Sequence, residues 1–394
     1  MRIARVLTRL NLGGPARQVL ASDPLLIERG HELRVFAGKP EAGEGDLFDE
    51  LAARGVDVRR VPGLARGVNP AKDLLALAHL RRELRAFAPD VVHTHASKAG
   101  LVGRRAARVL PKSVASVHTF HGHVLEGYFP EFVSERLIAS ERALARNTGR
   151  ILAVSHATAD DLVRLGVATE EQLSVVSPGV DLNQLLKLEV PRGARRLAGG
   201  PRERCGISAE AVLVGVVGRL AEVKQPEVAL EAFAVVAARH PNAELVFVGD
   251  GDGRRNLEGR IGALAPALAA RVHMAGHLDD STAIFGDLDL LLMSSRNEGL
   301  PVALIEAHAA GVPAVASNVG GVSEVLAHER TGLLASEEGE LAYHLDTLLK
   351  DASLRKVLGQ RARMRVATRF SASALAGRLE AVYEAVIQER ACAS

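Results

Sequence analysis

Short apolar runs alternate with segments of helical period along most of the chain. Apolar runs bounded by turn residues fit strands buried on both faces, and the amphipathic stretches between them fit crossover helices. In the first half this pattern predicts strands at residues 3–7, 32–37, 91–94, 114–117, 151–154 and 173–176. Helices are expected at 73–87 and 134–146. The rhythm stops between residues 185 and 208, where Gly, Pro and Arg cluster, and that stretch reads as an interdomain linker with a solvated basic face. A second series then predicts strands at 212–217, 244–248, 272–275, 288–293 and 314–316, followed by helices to the end. The expectation is an α/β protein of two Rossmann-like parallel-sheet domains, residues 1–184 and 209–370, with a last helical segment at 371–394.

Length supports this division, since 394 residues exceed one ordinary core. The apolar fraction of 47% is that of a globular chain, and no run approaches the ~20 apolar residues a membrane-spanning helix requires. Trp is absent and aromatics make up 3%, which argues against nucleic acid held by base stacking. Cys205 and Cys392 form neither a CxxC pair nor a disulfide framework, so a reducing cytoplasm is the simplest setting.

Candidate chemistry sits where strands end. Gly13-Gly14-Pro15 follows the first strand and opens a helix, where unpaired N–H groups can meet an anion; a plain βα turn is the alternative. Gly218-Arg219 and Lys224 follow the first strand of the second domain, and a guanidinium fork with a flexible ammonium suits a diphosphate. Gly249-Asp250-Gly251-Asp252-Gly253 lacks the dinucleotide spacing and reads as a turn. Glu298-Gly299-Leu300-Pro301 closes the strand at 288–293, and the helix that Pro301 starts carries Glu306 in its second turn. Carboxylates there suit paired sugar hydroxyls, and the helix N-terminus suits an anion. Two histidine groups, His93-Thr94-His95 with Lys98, and His118-Thr119-Phe120-His121-Gly122-His123, follow adjacent strands. A metal site is conceivable from the His-x-His spacing, but no companion ligands stand at suitable positions. Hydroxyl recognition or proton handling fits better, with at least one histidine structural.

In order, these motifs resemble a retaining glycosyltransferase of the GT-B fold, in the family-4 (glycosyltransferase group 1) class. The resemblance runs over nearly the whole chain and includes Ser177-Pro178-Gly179-Val180-Asp181, the spacing of Glu298 and Glu306, and Gly320-Gly321-Val322-Ser323-Glu324. It implies two sheets facing across a cleft that closes to exclude water, with the final helix crossing back to the first domain. Gly218, Arg219 and Lys224 would then hold the donor diphosphate, with Gly14 approaching it from the first domain. Glu306 would take the ribose, Leu278 the base, and Glu298, Gly299, Leu300 and Pro301 the donor sugar. His121 would lie at the reaction centre, and His95 and Lys98 would line the acceptor side. The Glu-Gly-Leu-Pro loop lacks the Phe-Gly of some relatives.

The resemblance implies transfer of a hexose or N-acetylhexosamine from a nucleoside-diphosphate sugar, UDP ahead of GDP, to a carbohydrate, lipid-linked or small-molecule hydroxyl acceptor. His121, Arg219, Lys224 and Glu298 are the expected catalytic residues, with no resident cofactor and no metal, and no nucleic-acid partner. A sugar-nucleotide 2-epimerase, a sugar phosphorylase and a non-enzymatic nucleotide-binding module are the competing readings. Arg81, Arg82 and Arg85, with Arg104, Arg105, Arg108 and the apolar loop at 124–130, suggest peripheral contact with an anionic inner-membrane surface; ordinary surface arginines are the alternative. Monomer and homodimer are both open.

Overall fold

The computed structural model describes residues 1–11, 13–41, 44–67, 69–122, 125, 130–189, 197–337 and 339–392. Two compact units emerge: Met1–Val180 with Ala372–Ser394, and Asp181–Ser371. In the first, β1 (Arg2–Arg9), β2 (Glu32–Gly38), β3 (Asp57–Arg60), β4 (Val91–His95), β5 (Ala115–Phe120), β6 (Arg150–Ala153) and β7 (Leu173–Val175) form a parallel sheet ordered β3-β2-β1-β4-β5-β6-β7. In the second, β8 (Val212–Val217), β9 (Ala243–Val248), β10 (Val272–Gly276), β11 (Leu290–Met293), β12 (Ala314–Ser317) and β13 (Gly332–Ala335) are ordered β10-β9-β8-β11-β12-β13. Both sheets are doubly wound. The strand order reverses between β1 and β4 and again between β8 and β11, and ligands of such sheets bind beyond the strand ends at that point.

The apolar runs are strands for the expected reason: β11, Leu-Leu-Leu-Met, is buried along its whole length. β3 and β13 are the strands the pattern did not predict. Each has four residues and lies at a sheet edge, and β3 reads Asp-Val-Arg-Arg, with a single apolar side chain. An edge position tolerates such charge because one flank faces water.

The last helix, Ala372–Cys392, belongs to the first unit. Its buried stripe of Leu375, Ala376, Leu379, Tyr383 and Val386 recurs at helical period and joins the core formed by Ile3, Leu26, Val91 and Val117. Arg29 and His31 both meet Glu380 on the same helix.

Two expectations about arginine are corrected. The described residues of the supposed linker, among them the helix Pro201–Cys205, fold into the second unit. Arg202 there is 3% exposed. Its guanidinium donates to the carbonyls of Asp287, Ser208 and Ala211 and pairs with Asp289, so four of its five N–H donors meet these partners inside the protein. Residues 190–196 of that stretch lie outside the described residues. Likewise Arg104 is no surface cation. It is buried on the helix Ser97–Ala107 and held by the Glu141 carboxylate at 2.5 Å. Of the apolar loop at 124–130, only Leu125 and Pro130 are described, and Leu125 is buried. No helix among the described residues is long and apolar enough to cross a membrane.

Candidate active site

In the second unit, the loops leaving β8 and β11 meet at the switch point. Lys224 Nζ donates to Glu298 Oε1 at 2.5 Å, and Ser295 Oγ donates to the same oxygen at 2.7 Å. Glu298 is 9% exposed, whereas a third of the Lys224 side chain is open. The backbone around Lys224 is fastened from below: Ser294 Oγ donates to the Gln225 carbonyl at 2.7 Å, and the Arg296 N–H to that of Val223 at 2.8 Å. Arg219 is exposed, and no ion pair engages it among the described residues.

Glycines make these loops possible. Gly249 has φ +135°, and a Cβ there would lie 2.0 Å from the Gly218 carbonyl oxygen. At Gly251 it would lie 2.4 Å from that of Leu220. The turn expected of this glycine-rich segment falls at Asp252-Gly253, and Gly249-Asp250-Gly251 is the bed on which the Arg219 loop rests: Gly218 and Leu220 donate their N–H groups to the carbonyls of Val248 and Asp250. Gly320 does the same for the other carboxylate loop. Its φ is +51°, and a Cβ would fall 1.9 Å from the Glu298 carbonyl oxygen, which accepts the Gly321 N–H at 3.1 Å.

Glu306 lies on the helix Val302–Ala309, capped at Pro301, with Leu304, Ile305 and Ala307 buried around it. The residue is 6% exposed, and its Oε1 accepts from Ser281 Oγ at 2.9 Å. Gly299 is half-buried, Leu300 and Pro301 are buried, and Leu278 is half-buried after β10. The supporting hydroxyls are the residues that motif reading missed. Ser294 and Ser295 stand just ahead of the Glu298 loop and carry no motif of their own, and Ser281 is 25 positions from its partner, beyond any local signal.

The first unit places a different set at its switch point. Arg5 on β1 is 2% exposed and pairs with Asp23 Oδ1 at 2.8 Å. Arg5 NH1 lies 3.2 Å from His95 Nε2, His95 Nδ1 lies 2.9 Å from His121 Nε2, and His121 Nδ1 lies 3.4 Å from the Gln18 amide. His93 stacks on His95 with centroids 4.2 Å apart, and its two nitrogens meet the Tyr383 hydroxyl and Thr119 Oγ1, each at 2.7 Å. His118 is fully buried against Thr94. Burial, then the Arg5 charge, pushes His121 down to about 3; burial first also holds His93, His95 and His118 well below the usual imidazole range. Burial lifts Asp23 to about 6, against the opposing pull of Arg5 and Ser22.

His95 stands behind His121: it is 3% exposed, and both its ring nitrogens are engaged within the first unit. Lys98 is paired with Asp73 Oδ2 at 2.5 Å. Gly14 is the first residue of the helix Gly14–Glu28, which runs on through Pro24. His123 lies outside the described residues. Among the described residues no group of three or more His, Cys, Asp or Glu side chains is arranged to hold a metal ion.

Comparison with known proteins agrees with this geometry. Residues 202–365 match the model of glycosyl transferases group 1, and residues 12–184 that of glycosyltransferase family 4. A D-inositol 3-phosphate glycosyltransferase of Streptomyces avermitilis is 30% identical over 368 residues, covering 87% of this chain and 76% of its own. The chain belongs to the group 1 glycosyltransferases. Another relative is the Escherichia coli UDP-Gal:alpha-D-GlcNAc-diphosphoundecaprenol alpha-1,3-galactosyltransferase, 26% identical over 315 residues and 79% of each chain. The crystal structure of Anabaena HepE in complex with UDP and glucose superposes with a TM-score of 0.80 at 22% identity, covering 98% of this chain and 100% of that one. The fold is accordingly GT-B, and the activity is glycosyl transfer from a nucleotide sugar.

Proposed function

We propose that this glycosyltransferase moves a hexose or N-acetylhexosamine from a nucleoside-diphosphate sugar, UDP ahead of GDP, to a hydroxyl acceptor with retention at the anomeric carbon. One observation carries the reading: Lys224 and Glu298 are joined at the switch point of the second sheet, with the exposed Arg219 on the same glycine-bedded loop. The names of relatives and neighbours support UDP, since the Escherichia coli relative is named for UDP-Gal and HepE is described with UDP and glucose.

The barrier to transfer is departure of the diphosphate. Arg219 and Lys224 offer preorganised positive charge to the oxygens that gain it, which is the role a divalent cation has in other transferases. The bond from C1 to the donor phosphate oxygen breaks, and the acceptor oxygen bonds to C1 on the same face. The acceptor proton passes to the departing phosphate oxygen, so the products are a glycoside and a nucleoside diphosphate. Glu298, steadied by Lys224 and Ser295, takes sugar hydroxyls, and Glu306 takes the ribose. Gly14 and His121, on the first unit, keep the roles the family resemblance implies. A cytoplasmic setting fits two cysteines that are both unpaired.

The test is a panel of UDP-, GDP- and ADP-sugars with purified protein, with and without EDTA. Slow release of nucleoside diphosphate from one donor is expected, undiminished by the chelator. Failure to bind or turn over any sugar nucleotide overturns the reading, and loss of activity in EDTA overturns the charge role given to Arg219 and Lys224.

A further inference from the structure

We propose that Arg5 and His95 are positioning residues that fix the tautomer of His121, so that His121 meets substrate as a neutral hydrogen-bond donor through Nδ1–H and never as a base. The role in transfer rests on the proposed function; the tautomers themselves do not.

The argument follows the protons. A guanidinium has donors only, so Arg5 NH1, 3.2 Å from His95 Nε2, requires a lone pair on that nitrogen. His95 is then neutral with its proton on Nδ1. That proton points at His121 Nε2, 2.9 Å away, which must accept it. His121 therefore carries its own proton on Nδ1. An imidazolium at His121 would put a second donor against His95 Nδ1–H, and turning His95 round would set its Nε2–H against Arg5.

The chain is anchored where it begins. Arg5 and Asp23 are 2.8 Å apart with side chains 2% and 0% exposed, and Ser22 Oγ donates to the same carboxylate oxygen at 2.9 Å. A guanidinium buried against a carboxylate keeps its charge and its donors. The ring planes are held as well, by His93 stacked on His95 and by His95 stacked on His121 with centroids 5.2 Å apart. At the far end Gln18 Nε2 lies 3.4 Å from His121 Nδ1; a proton on Nδ1 requires the amide turned over, so that its oxygen accepts there. Relayed polarisation from Arg5 strengthens this donor. The ligand it suits is an oxygen: a sugar hydroxyl or a phosphate oxygen that displaces Gln18.

The experiment is long-range proton–nitrogen correlation on the full chain labelled with 15N-histidine at pH 7.5, with rings assigned from His95→Gln and His121→Gln. Both rings are expected as neutral Nδ1–H forms. An Nε2–H tautomer at either ring, or an imidazolium at His121, overturns the proposal without bearing on glycosyl transfer. Arg5→Lys keeps a donor-only group and should keep the His121 tautomer; Arg5→Met should release it towards Nε2–H. In the transfer assay Arg5→Met should lower kcat roughly tenfold, the worth of about one hydrogen bond, with donor KM little changed, and Arg5→Lys should recover most of it. Equal losses in both variants with unchanged tautomers would make Arg5 merely structural. If Arg5→Met fails to fold, the spectrum of the unaltered protein still decides.

Discussion

The two units wind their sheets in the same order and set polar residues at the same topological point, yet they fill it in opposite ways. Where β8 and β11 diverge, an ion pair stands partly open: Lys224 is a third exposed, and Arg219 is exposed beside it on the same loop. Where β1 and β4 diverge, the charge is sunk into the protein as Arg5–Asp23, and neutral imidazoles lead outward from it. The difference teaches what each unit is built to offer. Open cations suit the phosphate charge proposed for the donor, whereas the buried, compensated arginine suits the orienting role proposed for it.

The comparison breaks most readily with acid. Each of His93, His95, His118 and His121 is held below its unfolded value of 6.5, so the unfolded chain binds protons that the folded one refuses. Their stability is present above pH 6.5 and is lost as pH falls from there towards their folded values. Asp23 acts the other way: raised from 3.8 to about 6, it favours the folded state as pH falls through that window, but it is one group against four. By pH 5.5 the first unit should lose on the order of 5 kcal/mol. Among the described residues of the second unit the fully buried counterpart is His308, held at about 3 by burial and then Arg365; the more exposed His344 is also lowered, by burial first. Hydrogen exchange followed peptide by peptide from pH 7.5 to 5.5 should show the first unit opening first. Simultaneous opening would mean the histidines are not the neutral core described.

The open pair should dominate the chemistry. Lys224→Met should lower kcat by roughly 10²–10³ while the second unit stays folded, because the transition-state charge it meets is absent from the ground state. A loss of only about threefold would remove Lys224 from the leaving-group role.

Much of this division was legible in the sequence, and what was not has a physical reason. Apolar runs marked the central strands because both faces are buried; β3 and β13 escaped because edges can be short or charged. Arg219, Lys224, Glu298 and Glu306 were singled out from residue type at strand ends, and the fold brings Lys224 and Glu298 together. Arg202 and Arg104 were misread because an arginine code does not say whether carbonyls and a carboxylate await it inside. Asp23 and Arg5 were passed over for the same reason: their pairing depends on a helix and a strand brought together by the fold. The glycine bed under Arg219 was visible as a motif, but its function depends on a carbonyl 31 positions away, that of Gly218 under Gly249.

That bed supplies the next test. Gly249→Ala forces a left-handed φ and a Cβ into the Gly218 carbonyl, so the second unit should lose about 2–4 kcal/mol and the Arg219 loop should shift. Gly259→Ala is the contrast: the site is open, lies within the helix Arg254–Gly262, and should gain roughly 0.5–1 kcal/mol. Chemical unfolding of the two variants checks both signs, and equal effects would show that Gly249 is only a turn.

The smallest effects test how the second unit divides its labour between nucleotide and sugar. Glu306→Gln keeps the shape of the side chain but removes its charge and one acceptor, so UDP affinity should fall roughly tenfold, about one charged hydrogen bond. Ser281→Ala removes the hydroxyl that donates to Glu306 Oε1 at 2.9 Å and should weaken UDP by roughly two- to threefold, since the carboxylate remains but is less well oriented. Glu298→Gln, in contrast, should leave UDP affinity within about twofold and act on sugar-dependent turnover. Titration calorimetry with UDP alone separates the three. If Glu298→Gln weakened UDP as much as Glu306→Gln, the two carboxylates would share one ligand group. Ser295 and Lys224, which both meet Glu298 Oε1, would then be supports for nucleotide binding and not for the sugar.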